Sequence, residues 1–422
     1  MKKKILLLLS CLISTSLFAK DDLSWNGAIL GQGAEENGNQ QWPINGYMGA
    51  GWKPAESSWN AKTNFHVYKK LNSSKKDFNL YQTNIDGTFL QDKLHLTAGR
   101  QFLSLGLNAW LLDGMRLEIQ PKETWSVATY AGTPRTPDNG DFNTDDGMIS
   151  GLGFFLHSVG GFTGQIGTHY RKKDIQGKDW NENDQLFGAA YGRYQFSEET
   201  APSLYSGVEY DASGGSLDQA VFGLDWHPNK IWNIQNEYGF YNDNREETRD
   251  TILSRFAGGR VLQGEVNMTQ QALSRLRFFE TYAYFRLKDP ALRTQHHHIL
   301  RGGFTWEILD GTEATPSYQW VKSYGGKLHL AMLDLFQEIR PWWTVSLRGD
   351  YAKFSKITSD NGAAVSVVIW NDFNVWKDFY ASTNVEFHKN NDIEREFRGG
   401  LAIRWSLGTP PVIPAMGKGI LQ

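Results

Sequence analysis

The chain has 422 residues, a formal net charge of −3 and one cysteine, Cys11. This charge is too small to indicate nucleic-acid binding, and a single cysteine excludes an intramolecular disulfide. Hydrophobic residues make up only 40% of the chain, whereas aromatic residues reach 14%, with 16 tryptophans. A polar average combined with many aromatic residues is typical of a β-barrel in a membrane, because half of each strand faces water and half faces lipid.

Residues 1–19 have the pattern of a secretory signal peptide. Lys2, Lys3 and Lys4 precede a short apolar run, and Leu17-Phe18-Ala19 offers a cleavage site. A lipoprotein site at Cys11 is the less favoured alternative, because it would leave too short an apolar run. The expected organisation is a signal peptide (1–19), a barrel (20–407) and a proline-containing periplasmic tail (408–422).

From Trp59 onward, apolar and polar residues alternate over segments of roughly ten residues, the length of a strand that crosses a membrane. The last such segment places Phe397, Leu401 and Ile403 on one face, with Arg398 and Arg404 on the other. No stretch after the predicted signal peptide approaches the ~18 consecutive apolar residues of a membrane-spanning helix. The pattern therefore predicts strands on which one face is apolar and the other is polar.

Three further features favour a membrane barrel over a soluble sandwich. The polar faces carry charged residues in mid-strand, which a dry core would not tolerate. Tight turns such as Gln91-Asp92 and Asp310-Gly311 alternate with long connections at 133–147, 173–184 and 242–259. Aromatic residues recur near the strand ends, as expected for two interfacial girdles.

Counting about ten tight turns predicts a closed antiparallel β-barrel of ~20–22 strands, with short periplasmic turns and longer extracellular loops. Alternation is weak in residues 23–31, 45–52 and 311–324. If these segments are not strands, the prediction falls to ~16–18 strands.

Three short sequence segments resemble those of a known protein family. These segments are Gly99-Arg100-Gln101, Asp113 to Leu117 and Trp125-Ser126-Val127, and they resemble a strand-turn-strand motif of alginate-export-type and related substrate-specific porins. The whole chain also resembles Gram-negative porins in its general pattern. The resemblance implies an outer-membrane porin or channel, although the chain continues beyond its last aromatic strand, unlike general trimeric porins.

Alternation predicts a pore lined by charges of both signs. The predicted pore-lining residues are Lys62, Asp86, Arg116, Glu118, Arg171, Arg193, Glu209, Asp211, Asp225, Glu237, Glu280, Arg286, Arg301, Glu307, Arg348, Asp350, Glu386, Arg398 and Arg404. The acidic positions 209–237 lie near mid-chain, and Arg398 and Arg404 lie in the closing strand. In a closed barrel these would form opposed walls with a field across the pore. The alternative is that the charges only solvate the lumen and pair with their neighbours.

The loop over residues 242–260 is the longest and most charged connection, and it is predicted either to fold inward as a constriction or to stay at the surface. Its candidate constriction residues are Arg245, Arg249, Arg255 and Arg260. Four tyrosines are predicted as sugar-stacking surfaces in the lumen, namely Tyr68, Tyr191, Tyr205 and Tyr284.

The sequence supports metal sites and catalytic groups less well than it supports a pore. The acidic run from Asp138 to Gly147 departs from EF-hand spacing. Neighbouring histidines in His296-His297-His298 would point to opposite faces of a strand. No spacing specifies a catalytic triad, and no Cys-x-x-Cys-His haem motif is present. We therefore predict no metal, no cofactor and no enzymatic activity.

The favoured function is a channel that lets small hydrophilic solutes diffuse across the outer membrane. The alternatives are a barrel that encloses a partner protein, such as an electron-transfer cytochrome, and a barrel enzyme. The expected partners are outer-membrane lipid, small solutes and the barrel-assembly machinery, with self-association into a homo-oligomer as a further option and no nucleic acid.

Overall fold

A computed structural model of the chain describes residues 23–36, 39–54, 57–71, 76–135, 147–172, 184–196, 200–242, 260–288, 294–323, 326–356, 362–376, 378–390 and 396–407. The predicted signal peptide and the predicted tail lie outside the described residues. No helix long and apolar enough to cross a bilayer occurs in the part of the chain described.

The described secondary structure consists of strands. They are β1 (Leu23–Glu36), β2 (Asn39–Gln41), β3 (Pro43–Trp52), β4 (Trp59–Lys70), β5 (Lys76–Phe89), β6 (Leu94–Leu105), β7 (Asn108–Lys122), β8 (Trp125–Arg135), β9 (Met148–Val159), β10 (Phe162–Lys172), β11 (Asp184–Gln195), β12 (Ser203–Asp211), β13 (Ser216–Trp226), β14 (Trp232–Asn242), β15 (Arg260–Leu273), β16 (Leu276–Lys288), β17 (Gln295–Leu309), β18 (Thr312–Ser323), β19 (Gly326–Arg340), β20 (Trp343–Lys356), β21 (Gly362–Trp376), β22 (Phe379–Lys389) and β23 (Glu396–Leu407).

These strands form one closed antiparallel barrel. Each strand pairs with its neighbours in the chain, and β1 pairs with β23 to close the ring. β2 and β3 continue one strand across Trp42, because both pair with β1 in the same register, so the barrel has 22 strands. Most of residues 23–31, 45–52 and 312–323 pair on both sides despite their weak alternation. The larger predicted strand number is therefore confirmed.

The connections differ between the two ends of the barrel. At one end the strands are joined by short turns, such as those between Phe89 and Leu94 and between Leu309 and Thr312. Leu23 and Leu407, the first and last strand residues, lie at this same end because the strand number is even. The long connections after Arg135, Lys172 and Asn242 all lie at the opposite end. This asymmetry places the turn end in the periplasm and the loop end outside the cell.

The pairing register divides the side chains into two faces, since directly paired residues share a face of the sheet. One face carries most of the exposed large apolar residues, among them Ile85, Ile166, Phe222, Leu300 and Val385. The other face carries the ion pairs, for example that between Lys62 and Asp86. Exposed apolar side chains on the outside of a barrel require lipid around them. The apolar face is therefore the outer face, and the charged face lines the lumen.

Candidate functional site

Following the register around the ring places nearly all of the predicted pore-lining residues on the inner face. On this face lie Lys62, Asp86, Arg116, Glu118, Arg171, Arg193, Glu209, Asp211, Asp225, Glu237, Arg301, Glu307, Arg348, Asp350, Glu386, Arg398 and Arg404. Glu280 and Arg286 are the exceptions.

Glu280 and Arg286 lie on the outer face of β16, so their assignment to the pore was wrong. Thr281 pairs with Arg301 and with Asn267, both on the inner face, which turns Glu280 outward. Apolar residues occupy both faces of this strand, with Phe279 and Phe285 inside and Phe278 outside. Alternation within β16 therefore cannot identify the lumen side, and only pairing with β15 and β17 does so.

Cysteine labelling tests this register. In a chain with Cys11 replaced, we expect Thr281→Cys to react with a water-soluble maleimide in liposomes, because its side chain lies in the wet lumen. We expect Glu280→Cys, one residue earlier, to be protected by lipid. The reverse labelling pattern would place Glu280 back in the pore.

The hairpin formed by β6 and β7 leaves the barrel wall at its loop end. Pairing between β5 and β6 stops at Thr83 and Arg100, so residues 76–82 pair with β4 but not with β6. On the other side, pairing between β8 and β9 stops at Gly132 and Ile149. Residues 100–113 therefore form a hairpin that, beyond the pair of Arg100 with Thr83, is not held in the wall by β5 or β9. We call it the inner hairpin.

Glycines mark the point where the inner hairpin bends. Gly99 pairs with Gly114, and Gly114 pairs with Gly132. Gly99 has φ of +112°, and a Cβ at this position would lie 2.3 Å from the Thr83 carbonyl oxygen. A Cβ at Gly114 would lie 2.1 Å from the carbonyl oxygen of Ala131. Only glycine fits this close approach of three strands.

The tip of the inner hairpin packs against the inner wall of the barrel. Gln165 Nε2 donates a hydrogen bond to the Gly106 carbonyl oxygen at 3.1 Å. A Cβ at Gly106 would lie 2.5 Å from Ala189 Cβ, and one at Gly207 would lie 2.4 Å from Leu107 Cδ2. The tip therefore extends into the lumen as far as β12.

A row of small residues on the wall receives this tip. Ala128, Gly153, Gly167 and Ala189 are directly paired in sequence across β8 to β11. The Leu105 side chain lies over the two glycines, because a Cβ at Gly167 would lie 2.9 Å from Leu105 Cδ1. Larger residues in this row would leave no space for the hairpin.

Apolar packing holds the hairpin in the lumen. Leu103, Leu105 and Leu112 form a buried cluster with Tyr130, Ile149 and Ala189, and Phe155 packs against it. The three leucines are at most 3% exposed. Burying one such side chain contributes about 1.5–3 kcal/mol, so three are sufficient to hold a short hairpin against the wall.

An ionic cluster fixes the base of the inner hairpin. Arg100 donates to the Asp113 carboxylate through Nε at 2.5 Å and through Nη2 at 2.6 Å, and Arg135 Nε donates to the same group at 2.9 Å. Arg100 Nη1 also donates to the Leu80 carbonyl oxygen at 2.8 Å. This last bond ties the hairpin to a segment of β5 that has no strand partner on that side.

The constriction predicted for the loop over residues 242–260 concerns residues that are mostly not described. Arg245, Arg249 and Arg255 lie outside the described residues, and Arg260 begins β15 as an exposed residue on the outer face. The sequence does contain a signal for the inner hairpin. Leu103, Leu105, Leu111 and Leu112 place large apolar residues on both faces of a hairpin preceded and followed by glycine.

Ion pairs neutralise several of the charges along the inner wall. Lys62 pairs with Asp86 at 3.3 Å, Arg116 with Glu118 at 2.7 Å, Arg348 with Asp334 at 2.6 Å and Arg398 with Glu396 at 2.9 Å. Two of these partners, Asp334 and Glu396, were not among the predicted residues. Over much of the ring, the charges therefore compensate one another locally.

The wall formed by β13 to β15 differs because the carboxylates of β14 and β15 are bonded to neutral donors, while Asp225 of β13 lies 3.3 Å from His227 Nε2. Tyr205 Oη donates to Glu237 at 2.6 Å, and Asn267 Nδ2 donates to Glu265 at 2.6 Å. Glu237 and Glu265 are direct cross-strand partners, an arrangement that like charges disfavour. The described part of the chain provides no basic partner for either carboxylate. We call Asp225, Glu237 and Glu265 the acidic wall.

Two of the predicted acidic residues are engaged in other contacts. Glu209 is fully buried and accepts a hydrogen bond from Gln219 at 2.8 Å. Asp211 accepts from the backbone amides of Ser213 and Gly214, both at 2.9 Å, and so caps the turn after β12. Glu265, which was not predicted, lies on the inner face beside Glu237.

The predicted tyrosines divide between the two faces. Tyr68, Tyr191 and Tyr205 lie on the inner face. The Tyr205 ring lies flat over Gly223, whose Cβ would be 2.0 Å from Tyr205 Cζ. The prediction that Tyr284 faces the lumen is wrong. Tyr284 lies on the outer face of β16, where its hydroxyl contacts His296 Nδ1 at 2.7 Å.

Ser126, His157 and Glu118 meet in the lumen but do not form a catalytic triad. Ser126 Oγ lies 2.9 Å from His157 Nε2 and 2.5 Å from Glu118 Oε1. A triad requires the carboxylate to orient the imidazole, whereas here it contacts the serine. Ser126 is also fully buried, so no substrate can reach its hydroxyl.

The three neighbouring histidines considered as metal ligands are divided between the two faces of β17. His297 lies on the inner face, and His296 and His298 lie on the outer face, as the alternation of a strand requires. The acidic run from Asp138 to Asp146 lies outside the described residues.

Comparisons with known proteins show the fold. No protein family and no curated protein matches the sequence. The translocation pore of the P pilus usher PapC is similar with a TM-score of 0.56 and 9% identity, over 92% of this chain and 100% of that one. A BenF-like porin from Pseudomonas fluorescens Pf-5 aligns with a TM-score of 0.48 and 10% identity, over 92% and 98% of the two chains. Pseudomonas aeruginosa OccK3 aligns with a TM-score of 0.47 and 10% identity, over 92% and 95%. At 9% identity, the likeness to the usher pore establishes a barrel architecture and leaves the function to be argued from the lumen.

Proposed function

We propose that the barrel is an outer-membrane channel for small hydrophilic solutes and that it favours cations and solutes with a positively charged group. The observation that carries this proposal is the acidic wall in a lumen narrowed by the inner hairpin. A barrel of 22 strands is wide enough to hold water, so this face is hydrated and its charges act on passing solutes.

The preference for cations follows from how the charges are paired. Elsewhere on the wall, arginine or lysine lies beside the carboxylates of Asp86, Glu118, Asp334 and Glu396, so these four add little net potential. On β14 and β15 they are held by an amide and a phenol, which leave the negative charge uncompensated. A negative potential raises the local concentration of cations and lowers that of anions.

Charges on opposite sides of the barrel still support part of the electric field predicted across the pore. Arg404 of β23 lies about half the ring away from the acidic wall, so opposed charges remain in place to orient zwitterionic solutes. Arg398 contributes less, because its Nε and Nη2 donate to the Glu396 carboxylate at 2.9 and 3.0 Å.

A barrel that encloses a partner protein is the less favoured function, because the inner hairpin occupies part of the space that the partner would need. An enzyme is also disfavoured, since a substrate cannot reach the buried hydroxyl of Ser126, which lies between His157 and Glu118 in the lumen. Recognition by the barrel-assembly machinery and self-association remain predictions from the sequence.

Ion selectivity tests the proposal. In planar bilayers under a KCl gradient, we expect Glu237→Gln/Glu265→Gln to lower the ratio of cation to anion permeability by about twofold or more. The matched control is Glu280→Gln, the same chemical change on the outer face of the adjacent strand, which should leave the reversal potential unchanged. An unchanged reversal potential in the double variant would contradict the cation preference, and absence of conductance from folded wild-type protein would contradict the channel itself.

A further inference from the structure

Basic side chains gather on the outer face at the loop end of six neighbouring strands, β15 to β20. The register turns all of them outward, and all except His298 are highly exposed. This group, which we call the basic row, comprises Arg260, Arg286, Lys288, His296, His298, Lys322, Lys327, His329 and Lys353.

The basic row brings like charges directly together. Arg260 pairs with Lys288 across β15 and β16, and Lys322 pairs with Lys327 across β18 and β19. Directly opposed like charges destabilise a sheet. The described outer face of these strands has no aspartate or glutamate at this level, since Glu280 lies closer to the turn end. Among the described residues, nothing on this face compensates the charge of the row, so the row can accept an anionic ligand.

Aromatic residues place the basic row at the level of lipid head groups. Tyr284 Oη lies 2.7 Å from His296 Nδ1, Tyr282 Oη lies 3.0 Å from His298 Nδ1, and Tyr318 Oη lies 2.5 Å from His329 Nδ1. Tyrosines with an apolar ring and a hydrogen-bonded hydroxyl occupy the boundary between hydrocarbon and water. Because the loop end is extracellular, this boundary belongs to the outer leaflet.

An apolar groove begins beside the basic row and extends across the outer face of β12 to β17. Its volume is about 870 Å³, and its outward-facing lining includes Val208, Phe222, Leu262, Val266 and Tyr282. Gly264 supplies no side chain and deepens the groove between its neighbours. Tyr284 and His298 line the same groove, which connects it to the cationic residues.

We propose that this surface binds a phosphate-bearing, acylated glycolipid of the outer leaflet. The phosphate contacts the basic row, where Arg286, Lys322 and Lys327 supply charge, and an acyl chain occupies the groove. A second copy of the chain is a poorer occupant, because a twofold interface would place this row of cations against itself. Free phosphate does not account for an apolar groove next to the charges.

Binding of purified lipid A to the full-length barrel in detergent tests the proposal by native mass spectrometry. We expect Arg286→Gln/Lys322→Gln/Lys327→Gln to weaken retention of diphosphorylated lipid A by about tenfold or more, since each cation near a lipid surface contributes to anion binding. The control is Lys69→Gln/Lys172→Gln/Lys389→Gln, which removes three outward-facing lysines from the same end of other strands. This control should stay within about twofold of wild type.

Three results would overturn the proposal. They are equal retention by both triple variants, equal binding of fully dephosphorylated lipid A, and displacement of the lipid by millimolar inorganic phosphate alone. Conductance should be unchanged in both triple variants, because neither set of residues faces the lumen. A failure of lipid binding is therefore distinguishable from a failure of the channel function.

Discussion

Replacing residues 103–110 with a two-residue Asn-Gly turn is expected to raise single-channel conductance by about twofold or more. The reason is that these residues form the tip of the inner hairpin and lie in the lumen against β8 to β12. Phe102 and Leu111 are directly paired, so a type I′ turn can join them without disturbing the rest of the hairpin. Conductance in planar bilayers measures the effect directly.

The matched control shortens the hairpin between β18 and β19 by replacing residues 322–327 with the same turn. That hairpin is paired on both sides up to its end, through His298 with Lys322 and through Gly326 with Lys356. It therefore lies in the wall, and its conductance should match wild type. If both deletions gave the same conductance from heat-modifiable barrels, the inner hairpin would not narrow the pore.

Arg100→Met is expected to destabilise the folded barrel by about 3–5 kcal/mol, the cost of removing one partner from a buried ion pair. Arg100 is only 2% exposed and contacts both Asp113 and the Leu80 carbonyl oxygen. Its loss removes two hydrogen bonds to the Asp113 carboxylate and the hydrogen bond to the Leu80 carbonyl oxygen of β5. Urea unfolding in lipid vesicles, followed by tryptophan fluorescence, measures the change.

Arg116→Met is the control for this substitution. Arg116 also pairs with a carboxylate, at 2.7 Å from Glu118, but its side chain is 30% exposed to the lumen. An exposed pair contributes about 0–1 kcal/mol, so this variant should unfold close to wild type. Similar losses in the two variants would mean that Arg100 does not secure the hairpin.

Much of the barrel could be predicted from local patterns, and one strand shows where this approach fails. In β23, Phe397 and Leu401 alternate with Arg398 and Arg404, so the inner and outer faces follow from the residues alone. In β16, phenylalanine and tyrosine occupy both faces, and Glu280 and Arg286 were assigned to the wrong one. The face of such a strand depends on the partners that its backbone hydrogen bonds select.

The acidic wall shows a second limit of local patterns. Glu237 was identified as a lumen residue, but its importance depends on Glu265, which lies on the next strand across a long connection. The difference between a neutralised carboxylate and an uncompensated one depends on whether arginine or tyrosine lies beside it. That neighbour is set by the register between strands.

The sequence alone determined that this chain is a membrane barrel with an apolar outside and a charged inside, because alternation with a period of two and unequal connections are local properties. Only the tertiary structure decided how the lumen is narrowed. The inner hairpin is made of ordinary strand residues, and its position depends on Gly99 meeting Gly114 and on Leu105 meeting Gly167 four strands away. Contacts between distant segments arise only when the ring closes, so no window of sequence contains them.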